Sequence, residues 1–278
     1  MKILPRLDLS GRTHVMGVLN VTPDSFSDGG SFFDKTKAVK RALAIAREGA
    51  DIIDIGGEST RPGARGISAR EELARVIPVI LAVSKKTRIP ISIDTMKAEV
   101  AEEAIRAGAT IVNDVSGLKY DKDMASVVAK YGASVIIMHM KGTPRNMQLR
   151  PRYKDTVKDI VKDLKISIKM AKEVGVAGDK IIIDPGIGFG KTFEHNLEIL
   201  NRLEEFTELK RPICVGTSRK SFIGKALGIK DPGGRLIGTI AASVIAIMKG
   251  ASLIRVHDVK EAAQAALMTD SILRSGAN

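Results

Sequence analysis

Arg255 and His257 are residues whose types and spacing suggest chemistry. They stand two positions apart in a run that also contains the apolar residues Ile254 and Val256. Side chains two apart in a β-strand point to the same face, so the arginine and the histidine would share one. Together they offer several N–H donors, an arrangement suited to an oxyanion or a phosphate. We therefore predict an anion site at the end of this strand.

Polar residues also end the other short apolar runs of the chain. In chain order they are Asn20; Glu58, Thr60 and Arg61; Asp94; Asn113 and Asp114; His139; Asp184; and Ser218, Arg219 and Lys220. Buried without partners, such groups would cost several kcal/mol in total. Any one of them is as well explained by a structural ion pair, and His139 by packing against its methionine neighbours. Their recurrence at every run nevertheless predicts a shared site.

The segment 216–221, Gly-Thr-Ser-Arg-Lys-Ser, follows an apolar run and opens a predicted helix. Free backbone N–H groups and the helix dipole at such a position favour anions. An ordinary capped helix start at Ser218 or Ser221 is compatible with that role. The sequence has no histidine or cysteine spacing typical of zinc, whereas Mg²⁺ held mainly through substrate phosphates would leave little trace.

The elements that must position these residues form a weak internal repeat. Segments 49–53, 108–112, 132–136 and 250–254 all begin with Gly-Ala and continue into a mostly apolar run. In each copy a glycine closes a helix and a buried strand follows at once. Because such runs alternate with segments of helical periodicity, the pattern predicts parallel strands joined by helices.

Eight strands are predicted, with a helical segment after each. The strands begin near residues 14, 51, 91, 111, 134, 180, 212 and 252, and the helical segments near 34, 69, 97, 122, 154, 192, 221 and 259, with an extra turn around 232–234. Eight such units in 278 residues match an α/β fold of the (β/α)8 TIM barrel type, as a single domain over residues 1–278. A doubly wound open sheet is the alternative, disfavoured because no Gly-x-Gly-x-x-Gly follows the first strand.

Composition narrows the classes of partner. Lys and Arg number 44 against 32 Asp and Glu, a net charge of +12, which suits nucleic acid, a membrane surface or a small anionic substrate. Aromatic residues are only 4%, which disfavours single-stranded nucleic acid, and the lysine stripe within 158–172 reads as an exposed helix face. Cys214 is the only cysteine, so no intrachain disulfide is expected. Without a signal-like or membrane-spanning run, we expect a cytoplasmic protein that binds neither nucleic acid nor membrane.

Longer strings that contain these residues resemble the signatures of the dihydropteroate synthase family. They are 20–30, 54–64, 92–95, 113–116, 138–140, 184–191, 218–224 and 255–258, in the family's order. Departures are minor, such as Ile67 where many members carry valine. The resemblance implies a pterin-binding TIM-barrel transferase of folate biosynthesis and a sulfonamide target. Its reaction would join p-aminobenzoate to dihydropterin diphosphate and release diphosphate.

The resemblance also implies roles for residues. The pterin would be bound by Asp94, Asn113, Asp184, Lys220 and Arg255, of which Asp94, Lys220 and Arg255 are the implied catalytic residues. The diphosphate would be held by Asn20, Arg255 and His257, and p-aminobenzoate by Thr60, Arg61, Pro62, Phe189 and Ser218. Mg²⁺ is the implied cofactor, with Asn20 as its protein ligand. A buried carboxylate that accepts adjacent N–H donors would reject analogues that lack those donors.

In the implied reaction diphosphate leaves with help from Mg²⁺ and cationic groups, and the arylamine then attacks the pterin methylene carbon. No protein nucleophile is required. Phe26, Phe32 and Phe33 are expected in an ordered lid that excludes water, with a staple onto the barrel rim as the alternative. Phe26→Ala should then lower turnover more than pterin binding.

Other functions stay open at this point. A pterin-dependent methyltransferase with a corrinoid partner would share the pterin pocket, but has no need of the strings 60–62 and 218–220. A Schiff-base aldolase would use Lys220 as nucleophile, and a non-catalytic pterin-binding protein would need no catalytic residue. Family members are commonly homodimers, and the apolar segment 238–248 is suited either to that interface or to an inner helix of the barrel.

Overall fold

A closed barrel of parallel strands organises the chain. The computed structural model describes residues 7–22, 35–61 and 63–275. The strands of this part are β1 (His14–Asn20), β2 (Ile52–Gly56), β3 (Ile91–Asp94), β4 (Ile111–Asp114), β5 (Ser134–Met138), β6 (Ile181–Asp184), β7 (Ile213–Val215) and β8 (Ala251–Val256). They pair in sequence order, and β8 closes onto β1. The predicted (β/α)8 barrel is confirmed, and the open sheet is excluded.

Helices follow the strands and surround the barrel. They are α1 (Lys35–Arg47), α2 (Ala69–Ser84), α3 (Ala98–Ala107), α4 (Met124–Tyr131), α5 (Thr156–Glu173), α6 (Phe193–Asn201), α7 (Ser221–Leu227), α8 (Leu236–Met248) and α9 (Val259–Ser275). Between α7 and α8 the extra turn is a 3-10 helix, Pro232–Arg235. Phe26, Phe32, Phe33 and Pro62 lie outside the described residues, so the lid hypothesis stays a prediction.

The predicted glycine closures occur as expected. Gly132 follows α4 with a φ of 60°, in the left-handed region, and its N–H caps carbonyls of the last turn. Two residues later Ser134 starts β5. A glycine takes this conformation without steric cost, so the chain turns from helix to strand within two residues.

The barrel interior changes from apolar to polar along the strand direction. Its amino-terminal half is filled by Met16, Ile52, Ile111, Ile136, Ile182, Cys214 and Leu253, with Leu9 packed on the same cluster. A larger apolar cluster lies between the strands and the helices. Toward the carboxyl ends of the strands the inward positions are occupied by Asp54, Asp94, Asn113, Asp184 and Arg255. The polar residues therefore gather at the face that holds active sites in this fold.

Candidate active site

An arginine bound by two buried carboxylates forms the centre of the polar face. Arg255 of β8 donates from Nε to Asp54 Oδ2 at 2.6 Å and from Nη2 to Asp94 Oδ2 at 2.7 Å. Asn113 of β4 donates to the same oxygen of Asp54 at 3.2 Å. Side chains from β2, β3, β4 and β8 are thus joined in one network, which fixes their orientation before any ligand binds.

Unpaired acceptors remain in this network. Asp54 Oδ1, Asp94 Oδ1 and the hydroxyl of Ser92 are buried and have no hydrogen-bond partner among the described residues. An unsatisfied buried polar group costs about 1–3 kcal/mol, so three neighbouring ones are suited to a ligand that brings its own donors. Burial raises the pKa of Asp94, and the nearby charge of Arg255 opposes that shift.

Asp184 and Lys220 approach the network from the far side of the barrel. Asp184 ends β6, and one of its carboxylate oxygens accepts the N–H of Gly186 at 2.6 Å. Lys220 Nζ donates to the carbonyl of Ile187 and lies 5.0 Å from the ring centre of Phe189. Burial lowers the pKa of Lys220 to about 8, against the charge of Asp184, which raises it. A flat aromatic ligand beside this ammonium would make a cation–π contact with it, as the Phe189 ring does.

His257 lies beside Ser218 at the end of β8. Its backbone N–H and ring Nδ1 lie 3.2 and 3.0 Å from the Ser218 hydroxyl. Burial, with the charges of Arg255 and Arg219, lowers the pKa of His257 to about 4. At neutral pH the ring is therefore uncharged, and it offers an anion a hydrogen bond rather than a positive charge. The ordinary capped start at Ser218 or Ser221 does not occur: the N-cap of α7 is Lys220, which makes no side-chain cap bond.

The remaining predicted residues lie at the carboxyl ends of the strands, where the barrel opens. Asn20 ends β1 in register with Gly56 and is half-buried. Arg61 is exposed in the loop after β2, and its charge contributes to the lowered pKa of His257. Thr60 precedes it in the same loop and is half-buried. The binding roles of these residues stay predictions.

Some polar strand ends are structural. Glu58 binds Lys97, which also binds the fully buried Glu72 at 2.6 Å. Asp114 accepts bonds from its own loop, at Ser116 and the N–H of Leu118. Local pairing of this kind explains these residues without a ligand.

Sequence reasoning missed Asp54. This carboxylate stands inside the apolar strand Ile-Ile-Asp-Ile-Gly and is fully buried. The signal was its spacing of two residues from Ile52 and Gly56, which puts the charge on the inward face of β2. It also missed Lys191, which is buried and contacts His139.

Metal chemistry would rely on few protein ligands. The described ranges contain no group of three or more His, Cys, Asp or Glu residues placed to hold a metal ion. Asn20 supplies one neutral amide oxygen, which fits Mg²⁺ only when substrate oxygens and water complete the shell. Within the same ranges, no helix is both long and apolar enough to cross a bilayer.

Comparisons with known proteins agree on one family. The family described as pterin binding enzyme matches residues 16–257. Dihydropteroate synthase of Clostridium beijerinckii is 52% identical, covering 96% of this chain and 97% of the relative, and that of Escherichia coli K12 is 46% identical, covering 98% and 95%. A Clostridium difficile dihydropteroate synthase structure, in the presence of pteroic acid, has a TM-score of 0.91 at 53% identity, covering 96% and 99%. The chain therefore belongs to the pterin-binding enzyme family and, within it, to the dihydropteroate synthases.

Proposed function

We propose that the chain joins the methylene carbon of a dihydropterin diphosphate to the amine of p-aminobenzoate, forming dihydropteroate and releasing diphosphate. The observation that carries this is the set of unpaired buried acceptors around Arg255, next to Asp184. A pterin ring brings N–H donors along one edge and so satisfies acceptors of this kind. A related enzyme from Xanthomonas albilineans, 38% identical, has been solved in complex with 7,8-dihydropteroate.

The pterin would bind deepest, in the polar half of the barrel. Asp184 and the Asp94–Asn113 pair would accept and donate along the pterin edge, while Asp54 holds Arg255 in place. Lys220 would lie beside the ring as a cation. Binding of this kind is selective, because an analogue without the N–H groups leaves buried carboxylates unpaired.

The diphosphate would be held at the mouth by Asn20, Arg255 and His257. Two carboxylates already accept hydrogen bonds from Nε and Nη2 of Arg255. These bonds leave Nη1 to donate to the diphosphate. His257 donates from a neutral ring. Asn20 is the residue we assign to Mg²⁺, which when bound would stabilise the developing charge of the diphosphate.

The amine would bind above the pterin. Phe189 offers an apolar face, and Ser218, Thr60 and Arg61 stand at the rim; Pro62 joins them by resemblance alone. The carbon–oxygen bond to diphosphate breaks with its electron pair leaving on oxygen. The amine nitrogen then supplies the pair for the new carbon–nitrogen bond and loses a proton. The protein orients both partners and stabilises charge, without a covalent intermediate.

Diphosphate release by the purified protein tests this function. Dihydropterin diphosphate and Mg²⁺ are supplied with and without p-aminobenzoate, and dihydropteroate is identified by mass. Release that depends on the amine supports the proposal. Pterin binding without amine-dependent release would contradict it and favour methyl transfer. A borohydride-trapped adduct at Lys220 with a carbonyl substrate would indicate an aldolase instead.

We also propose a cytoplasmic homodimer whose interface includes α8 and α9. One face of α8 packs inward through Thr239, Ala242 and Ala246. Its other face exposes Ile237, Ile245 and Met248, and the neighbouring α9 exposes Leu267, Met268, Ile272 and Leu273. A concentration of exposed apolar side chains on two packed helices is typical of a protein interface. The alternative role of α8, as an inner helix, accounts only for its buried face.

A further inference from the structure

The loop between β6 and α6, residues 185–192, is bonded at successive carbonyl groups. The carbonyls of residues 186–190 accept, in order, from the Phe189 N–H, Lys220 Nζ, Gln148 Nε2, Lys191 Nζ and the Tyr153 hydroxyl. The donors come from the loop itself, from the β5–α5 loop and from the segment before α7. A loop tied in this way has a fixed backbone, although it lies at the mouth of the barrel.

Lys191 is the most buried of these donors, with 3% of its surface exposed. Its Nζ lies 2.8 Å from His139 Nδ1, 3.1 Å from the His139 carbonyl and 2.9 Å from the Phe189 carbonyl. Burial lowers the pKa of His139 to about 2, so this ring is neutral. The amine thus joins the end of β5 to the loop that holds Phe189, and it does so where water is excluded.

Two glycines let the loop come this close to its neighbour. Gly186 has a φ of 71°, and a Cβ there would lie 1.9 Å from the His139 carbonyl oxygen. Gly190 has a φ of 66°, and its Cβ would lie 2.5 Å from the carbonyl of Lys141. Both positions therefore exclude larger residues, on backbone conformation and on space. The two glycines thus bring the loop against the end of β5, and the Lys191 amine lies between the loop and this strand end.

We infer that Lys191 is a positioning residue for the amine-binding half of the site. It holds the backbone at Phe189, so that the Phe189 ring keeps its place beside Lys220. The acceptors proposed for the pterin lie on strands, and Lys220 bonds this loop at Ile187, whereas Phe189 itself lies on the loop beside Lys191. Loss of Lys191 should therefore weaken use of the amine far more than binding of the pterin. This inference rests on the proposed function for its kinetic consequence.

Lys191→Met removes the amine and keeps an unbranched side chain of similar length. We expect the KM for p-aminobenzoate to rise by about 10-fold or more, since a buried partner is left unsatisfied at His139 and Phe189. The Kd for a pterin, measured by calorimetry, should change less than about 3-fold, which is below the effect of one net hydrogen bond to a charged group. Lys162→Met, at an exposed position of α5, is the matched control and should change neither constant.

Tyr153→Phe is a second variant that keeps the test decisive if Lys191→Met does not fold. It deletes only the bond to the Gly190 carbonyl, and should raise the same KM by about 2- to 10-fold. Amide hydrogen exchange of residues 186–191 gives a readout without substrate. Faster exchange there in both variants supports the inference even if the wild type shows no amine-dependent turnover. Equal weakening of pterin and amine, or unchanged KM and exchange, would overturn it.

Discussion

Arg255 and Asp54 form an ion pair of 2.6 Å although β8 and β2 are separated by β1. The pair therefore spans a strand inside the barrel, and Asp54 is fully buried. Charges in this position attract each other strongly, but removing them from water costs free energy when the protein folds. The ion pair ties the second strand of the barrel to the last one.

Breaking this pair should destabilise the fold. Asp54→Asn leaves Asp94 as the one carboxylate that these bonds give Arg255, and we expect the free energy of unfolding to fall by about 3 kcal/mol, the lower end for a broken buried pair. Urea denaturation of the unliganded protein measures it. Glu204→Gln removes the exposed partner of Lys249 and should change stability by less than about 0.5 kcal/mol. An equal effect of the two substitutions would refute the argument.

Lys220 should give the reaction an upper pH limit. Its pKa is lowered to about 8 by burial, so the ammonium is present below that pH and is lost above it. We expect kcat/KM for the pterin substrate to fall tenfold per pH unit above about pH 8, because this ratio reports the free enzyme. Lys220→Arg stays charged and should shift the decline beyond pH 10, at whatever activity it retains. A flat wild-type profile up to pH 10 would rule out the role of the ammonium.

Asn20 should matter for Mg²⁺ and diphosphate but not for the pterin ring. Chelation should stop turnover, and added Mg²⁺ should restore it. Asn20→Ala should raise the Mg²⁺ concentration for half-maximal rate by at least about 10-fold, the loss seen when even indirect metal contacts are removed. The Kd for a pterin without diphosphate is the internal control and should be unchanged. Wild-type Mg²⁺ dependence in the variant would remove Asn20 as a ligand.

The exposed faces of α8 and α9 should hold two copies together. Ile272→Lys puts a charge on the part of this surface that α9 supplies, and sedimentation should then show a monomer. Ile166→Lys on α5 replaces another exposed isoleucine and should leave the dimer intact. If the wild type sediments as a monomer at micromolar concentration, the interface proposal is wrong.

The fold was predictable because its signals are local. Each Gly-Ala closure fixes a helix end and a strand start, and β-branched runs such as Ile181–Ile183 fix the strands between them. The observed strand starts lie within one residue of the predicted ones. The division of the barrel interior also followed, since polar residues at strand ends are visible in the sequence.

The hydrogen-bond and ion-pair partners of the polar side chains were not predictable, because they depend on the register between strands that are distant in sequence. Glu58 looks like a site residue, yet Lys97 neutralises it. Asp54 looks like an interruption of an apolar strand, yet it binds the central arginine. Lys191 ends a glycine-rich string, and only the approach of the β5–α5 loop gives it buried partners. The charge state of His257 likewise depends first on its burial and then on the charges of Arg255 and Arg219.

The apolar side chains that fill the amino-terminal half of the barrel close that end, so the interior is open only at the carboxyl ends of the strands. Leu9 and the ring of side chains around Met16 and Leu253 block passage there. Ligands then enter and leave at one end only, so a ligand at the bottom has to bind before one that covers it. With the pterin at the bottom, an early-bound amine would stand in its way. The change from an apolar to a polar layer along the strands thus implies an order in which the two substrates bind.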